Sequence, residues 1–313
     1  MLMVGEKPEL KLEVRKDYLG RQVALSVSRA SRPHDAPKPR VQKTTHPEKC
    51  FFCPGNEHLT PPEIDRIERE GKWEIRCFPN KFPAFSESSK KAYGRHDVIV
   101  ETPDHEKTLS DLSVENLCNY LSMVRRRMES ARKDNRLEYT SVFKNEGQSA
   151  GASLEHSHTQ VVSMGFVPKY IQKIAKKGSA FSKMEKKEVK GTWFSNAGFF
   201  AFCPRASRFP FETWIVPKKP FNSLLEVSEV QLLELAVCMK AVLGALDAES
   251  GYSPYNIVFH NGPHDGSAFP FHLEILPRRS TWAGFEFATE VVMSSSVPLL
   301  CAHALKGRLK KGG

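Results

Sequence analysis

The chain has 313 residues, 40% of them hydrophobic, and a formal net charge of +10, enough apolar content for one large core or two ordinary ones, which excludes a disordered chain. No stretch approaches the ~20 apolar residues of a bilayer-spanning helix, since the longest candidate, 297–305, is interrupted by His303. Seven scattered cysteines do not make the dense framework of a small secreted domain, and no basic-then-apolar leader is recognisable, so the expectation is a cytoplasmic protein with no membrane partner.

In chain order, the first chemical feature is Cys50-x-x-Cys53, followed by Pro54-Gly55, a turn that presents two thiolates to one zinc ion. A redox role fits less well, because such motifs usually start a helix and Pro-Gly stops one. Two further ligands are needed, and His105 and His156 are the candidates. From Asp97 runs DVIVETPDHEKTLSDLS, a strand, a Pro-containing turn and a helix that Ser113 caps. Val114, Leu117, Leu121, Val124 and Met128 recur at three and four and give that helix one apolar stripe. The strand VFKNEG from Val142 leads into a loop of small residues, Gly147 to Ser153, through which backbone N–H groups can reach a phosphate. That loop joins His156-Ser157-His158-Thr159-Gln160. Residues two apart in a strand share a face, so one imidazole can hold a metal while the other faces substrate with Gln160. A lone histidine is more often a satisfied polar residue, but three polar side chains alternating in line favour a site.

The basic runs 173–190 and 306–311 read as solvated surface. Only Phe181 is interleaved with the first, which speaks against a nucleic-acid face. From Glu212, ETWIVPKKPFNSLLEVS repeats the earlier order of events. Ser228 and Gln231 make a capping box, Val230, Leu233, Val237 and Ala241 form the expected apolar stripe, and VFHNGP from Val258 precedes a strand centred on His272. Val142 and Val258 lie 116 positions apart, as do His156 and His272, which pairs His158 with Glu274. Two sequential copies of one strand-helix-strand-strand unit follow: 1–166, with the zinc site and nucleophile, and 167–313, catalytically degenerate. Since the copies end in His-Ser-His and His-Leu-Glu, a histidine nucleophile belongs to the first.

Through GRQVALSVSRASRP, CFFCPGNEHLTPPE, FPNKFPAF, DVIVETPDH, VFKNEGQSAGASLEHSHTQ, FHLEILPR and AGFE, the sequence resembles the galactose-1-phosphate uridylyltransferase family of the histidine-triad superfamily. The resemblance implies an α+β fold of two tandem histidine-triad-like units sharing an open, mainly antiparallel sheet, a half-barrel with flanking helices, in a homodimer. It implies His158 as nucleophile with Gln160 beside it, and a structural zinc on Cys50, Cys53, His105 and His156. Substrate contacts would fall on Arg29, Arg32, Asn80, Phe143, Asn145, Gly151 and Ser153, with Glu286 at the sugar. The second metal of some relatives needs a glutamate sixteen residues beyond the nucleophile. Ile174 stands there, so none is expected, and His260, His272 and Glu274 are read as a relic polar cluster. The implied reaction is ping-pong uridylyl exchange between UDP-glucose and galactose 1-phosphate, with ADP-glucose phosphorolysis by the same histidine as its rival. Ala288-Thr289-Glu290 replaces the Gly-Thr-Gly of many relatives and bears on the acceptor, because a carboxylate repels phosphate. A zinc-stabilised nucleotide- or nucleic-acid-binding protein without turnover is the reading from another class, which the intact His-Ser-His-Thr-Gln disfavours.

Overall fold

The computed structural model describes residues 12–26, 43–188, 191–251 and 253–309. In chain order these form β1 (Glu13–Lys16), β2 (Gln22–Leu25), β3 (Asp65–Arg69), β4 (Lys72–Pro79), β5 (Gly94–Val100), α1 (Val114–Arg132), β6 (Tyr139–Glu146) and β7 (His158–Met164). There follow α2 (Lys169–Lys176), α3 (Gly178–Glu188), β8 (Thr192–Ser195), β9 (Phe199–Phe202), β10 (Thr213–Pro217), α4 (Glu229–Ser250), β11 (Tyr255–His260), β12 (His272–Pro277), α5 (Gly284–Thr289), β13 (Val292–Ser294) and α6 (Pro298–Arg308). No helix among the described residues is long and apolar enough to cross a membrane.

One antiparallel sheet of ten strands runs β3-β4-β5-β7-β6-β11-β12-β10-β9-β8, and its middle pair, β6 and β11, joins the two halves of the chain. It is open, as expected. A small second sheet, β1-β2-β13, contains a parallel pair, β2 with β13. The faces of the large sheet differ because side chains alternate along each strand. Ile99, Val142, Val161, Ile257, Leu273 and Ile275 point to the face covered by α1 and α4 and belong to one buried core. On the other face, ladder pairs connect Phe78, Val98, Gln160, Phe143, Val258, Glu274, Trp214 and Phe202 in one continuous row.

That row corrects the repeat offset read from the sequence. Val142 packs against the helices, whereas Val258 lies on the opposite face between core residues Ile257 and Phe259, so a shift of 116 does not carry a face onto its copy. Phe143 and Val258 pair with each other at the junction, and they pair outward with Gln160 and Glu274. Gln160 therefore matches Glu274, and His158 matches His272.

The stripe of α1 is buried as expected at Leu117, Leu121, Val124 and Met128, and Ser113 accepts from the Asn116 N–H. The capping box at Ser228 is also present. The stripe expected on α4 is wrong: Val230, Leu233 and Val237 are exposed, while Leu232, Leu235, Met239, Val242 and Leu246 are buried. This helix is apolar on nearly every side, so spacings of three and four fit two stripes, and packing on α1 and α6 selects between them. The basic run also has an inner side. Its lysines 173, 176 and 177 are exposed, yet Ile171 and Ile174 pack on Tyr139, Val162 and Met164. Phe181 of α3 packs on Phe200, Phe202, Trp214 and Val216, over the second half of the open face.

Candidate active site and metal centre

Cys50, Cys53, His105 and His156 are buried, and their ligand atoms lie within 4.8 Å of one another. His105 Nδ1 is 3.2 Å from Cys53 Sγ, and His156 Nδ1 is 3.5 Å from both sulfurs. A zinc tetrahedron with ~2.3 Å sulfur and ~2.0 Å nitrogen bonds has edges of roughly 3.3–3.8 Å, which the cluster matches. The chemistry of the donors fits as well. His156 Nε2 is 2.8 Å from the Thr102 carbonyl; a carbonyl only accepts, so Nε2 carries the hydrogen and Nδ1 turns a lone pair to the thiols. Burial holds His156 down to about 4, keeping that lone pair available at neutral pH. Burial and then Cys50 push the Cys53 thiol up to about 12, a preference that a coordinated cation reverses. Gly55 makes the turn below the thiols with φ of +91°, a conformation that glycine adopts without strain.

His156 ends the loop and His158 starts β7. The Nδ1–H of His158 donates to the His156 carbonyl at 2.8 Å, so its Nε2 carries a lone pair. Burial, followed by the charge of Lys144, depresses its pKa and favours the neutral imidazole. The Phe52 ring stands 5.4 Å away. On the helix side of the neighbouring strand β6, fully buried Lys144 donates to Glu101 (2.8 Å), Ser157 (2.9 Å) and the His158 carbonyl (3.2 Å) and lies 3.0 Å from Glu146. Thr159 donates to Glu101 and meets the Tyr120 hydroxyl of α1 at 3.0 Å. This network clamps β7 between β5 and β6.

On the open face Gln160 shares a ladder pair with Phe143, and its Oε1 lies 2.8 Å from His96 Nε2. Asn80 reaches the same imidazole nitrogen at 3.2 Å. Asn256, from the second half, donates to Asn145 Oδ1 and to the Ala150 carbonyl, both at 2.8 Å, and so ties the small-residue loop to the sheet. Gly151 ends the 3-10 turn of that loop at φ of +87°, and Ser153 is exposed just before the histidines. The structure thus gathers His158, Gln160, Asn80, Phe143, Asn145, Gly151 and Ser153 around one face and its loop. Arg29 and Arg32 lie outside the described residues. Glu286 is the third residue of α5, and its carboxylate accepts from the Ala283 and Met293 N–H groups. Sequence reading missed His96, Asn256 and Lys144. His96 and Lys144 sit on alternating strand positions, the signal that singled out Gln160.

In the second half, ligand atoms of His260, His272 and Glu274 also lie within 4.8 Å. Their geometry is dominated by buried Arg208, which donates to Glu212 and Glu274 at 2.6 Å each. Burial works against ionisation of Glu274, and Arg208 together with His260 and His272 outweighs it, holding the carboxyl well below the usual range. The His272 Nδ1–H donates to the Pro270 carbonyl at 2.7 Å.

Comparison with known proteins agrees with this architecture. A family model described as "Galactose-1-phosphate uridyl transferase, N-terminal domain" matches residues 88–168. The chain is 29% identical to ADP-glucose phosphorylase of Arabidopsis thaliana, over 91% of this chain and 90% of that protein. With galactose-1-phosphate uridylyltransferase of Schizosaccharomyces pombe it shares 25% identity over 89% and 84% of the two chains. The crystal structure of the Arabidopsis ADP-glucose phosphorylase with bound ADP-glucose superposes with a TM-score of 0.83 at 26% identity, covering 95% of this chain and 99% of that one. The matched segment 88–168 is the one that carries His96, His105, His156, His158 and Gln160, and in sequence and in fold the chain is similar to members of the galactose-1-phosphate uridylyltransferase family.

Proposed function

We propose that the protein transfers a nucleotidyl group from a nucleoside diphosphate hexose to a phosphate-bearing acceptor through a covalent intermediate on His158 Nε2. The observation that carries this reading is the bond from His158 Nδ1–H to the His156 carbonyl, which leaves the Nε2 lone pair free next to Gln160. In the first half-reaction, Nε2 attacks the nucleotide's phosphorus; an N–P bond forms and the P–O bond to the hexose phosphate breaks. In the second, an oxygen of the acceptor phosphate attacks, and the N–P bond breaks. The acceptor is already an anion, so no general base is required, and a neutral imidazole is both a competent nucleophile and a good leaving group. The protein's part is alignment, with donors to the nonbridging oxygens from Gln160, Asn80 and the N–H groups of the small-residue loop. Zinc on Cys50, Cys53, His105 and His156 would be structural, fixing the strand start that bears His158.

Likeness to the ADP-glucose phosphorylase favours ADP-glucose as donor and inorganic phosphate as acceptor. The second reading is the exchange implied by the sequence, UDP-glucose with galactose 1-phosphate, which relatives named for that activity support. The test is to incubate zinc-loaded protein with either nucleotide sugar, without acceptor, and to weigh the intact chain. An adenylyl adduct supports the phosphorylase and a uridylyl adduct the transferase; absence of both from wild type rejects the covalent mechanism. The expected homodimer belongs to the same reading and is checked by analytical ultracentrifugation.

A further inference from the structure

The loop between β4 and β5 is wrapped around a single imidazole. Asn80 N–H donates to the His96 carbonyl at 2.7 Å, Phe82 N–H donates to Asn80 Oδ1 at 2.9 Å, and Ala84 N–H approaches His96 Nδ1 at 3.1 Å. The last contact decides a proton. A backbone N–H can only donate, so Nδ1 is the acceptor, and a neutral His96 carries its hydrogen on Nε2. Burial lowers the pKa of His96, which agrees with the neutral form.

A protonated Nε2 then decides two amides. The atom of Gln160 lying 2.8 Å from it must be the carbonyl oxygen, since a donor there would face a donor. The Gln160 NH2 group is therefore turned away from His96. Asn80 is fixed independently, because its Oδ1 is held by Phe82 N–H. Its NH2, 3.2 Å from the same Nε2, finds no acceptor there and is left as a donor beside that of Gln160. One backbone hydrogen bond thus sets the polarity of two neighbouring side chains on the face that bears His158.

We propose that His96 is a positioning residue that locks the Gln160 amide with its NH2 toward the transferred phosphate, and that Ala84 N–H sets the lock by fixing the His96 tautomer. This rests on the His158 chemistry proposed above. No other orientation of Gln160 serves both neighbours, so the phosphate meets two preorganised donors that need not reorient as charge develops.

Two substitutions separate positioning from simple support of the loop. In His96→Gln the side-chain amide NH2 reaches the place of Nε2 and still donates to Gln160. In His96→Asn the side-chain oxygen takes the place of Nδ1 and still accepts from Ala84 N–H, but the donor to Gln160 is gone. The expected result with ADP-glucose or UDP-glucose is adduct formation within about 3-fold of wild type for His96→Gln and at least ~10-fold slower for His96→Asn. The loss should fall on the rate rather than on KM, with an unchanged melting temperature. A His96→Asn variant as fast as wild type, or a His96→Gln variant as slow as His96→Asn, overturns the proposal. Nitrogen-15 NMR of wild type reads the tautomer without turnover; a hydrogen on Nδ1 of His96 overturns it too. If wild type forms no adduct, the covalent reading falls and this one is decided by affinity for the same nucleotide sugars, where His96→Asn should weaken binding and His96→Gln should not.

Discussion

His158 and His272 are held alike: the Nδ1–H of each donates to the carbonyl two residues upstream, at 2.8 Å to His156 and 2.7 Å to Pro270. What separates them is access. His158 keeps 6% of its surface and His272 none, since Phe181 lies 4.8 Å from the His272 ring and His260 is stacked on it at 4.4 Å. His158→Ala should therefore abolish the nucleotidyl adduct and lower turnover by ~10³-fold or more, whereas His272→Ala should lower stability and leave the adduct intact. Intact-mass spectrometry with each nucleotide sugar reads both outcomes; an adduct surviving in His158→Ala rejects the assignment.

Lys144 is a buried cation between two carboxylates, Glu101 and Glu146. Lys144→Met leaves both without their counter-ion and should cost about 3–5 kcal/mol in urea unfolding. Adding Glu101→Gln and Glu146→Gln to the same chain should recover a large part of that loss, because the penalty comes from unpaired buried charge and not from the missing ammonium itself. A triple variant no more stable than Lys144→Met would contradict this account.

Acid should destabilise the fold before the carboxylates titrate. Burial depresses the pKa of His96, His264 and His272, the last to about 4. For such a group the unfolded chain takes up the proton first, near pH 6.5, so stability is present above that value and declines as pH falls toward 4. His264 spans the two halves, donating from Nδ1 to the Leu137 carbonyl and accepting from the Thr140 hydroxyl. His264→Asn keeps the first bond and removes the ionisable ring. Melting curves between pH 7.5 and 5 should fall less steeply for this variant than for wild type, and parallel curves would remove His264 from the explanation.

Metal analysis should give about one zinc per chain, falling to a small fraction in Cys53→Ser, with chelation lowering the melting temperature by several degrees. The Arg208 guanidinium already supplies a cation to Glu274 in the second cluster, so a further ion there has to displace it. Two equivalents in wild type, with one lost in His260→Ala, would show that it does.

Much of this was legible in the sequence wherever a short motif specifies its own geometry. Cys50-x-x-Cys53 with a Pro-Gly turn, His158-x-Gln160 in a strand, and serines before periodic helices each depend on contacts a few residues long. What failed depended on partners remote in the chain. The apolar stripe of α4 was misassigned because the neighbours that choose between its two candidate faces are α1 and α6. The repeat offset went astray because similar phrases, VFKNEG and VFHNGP, sit one strand position out of phase, which only the ladder across β6 and β11 exposes. His96 escaped notice since its meaning comes from Ala84 and Gln160, neither of them adjacent to it.

The second half of the open face is filled by the chain itself. Phe181 occupies, with its ring nearly parallel to Trp214 at 8°, the kind of space in which a flat ligand would otherwise stack. Two equal clefts on one sheet would leave a ligand to choose between them at every encounter. With Phe181 in place the second cleft offers no such choice, and the His272 ring is left among the rings of Phe181 and His260 as interior packing.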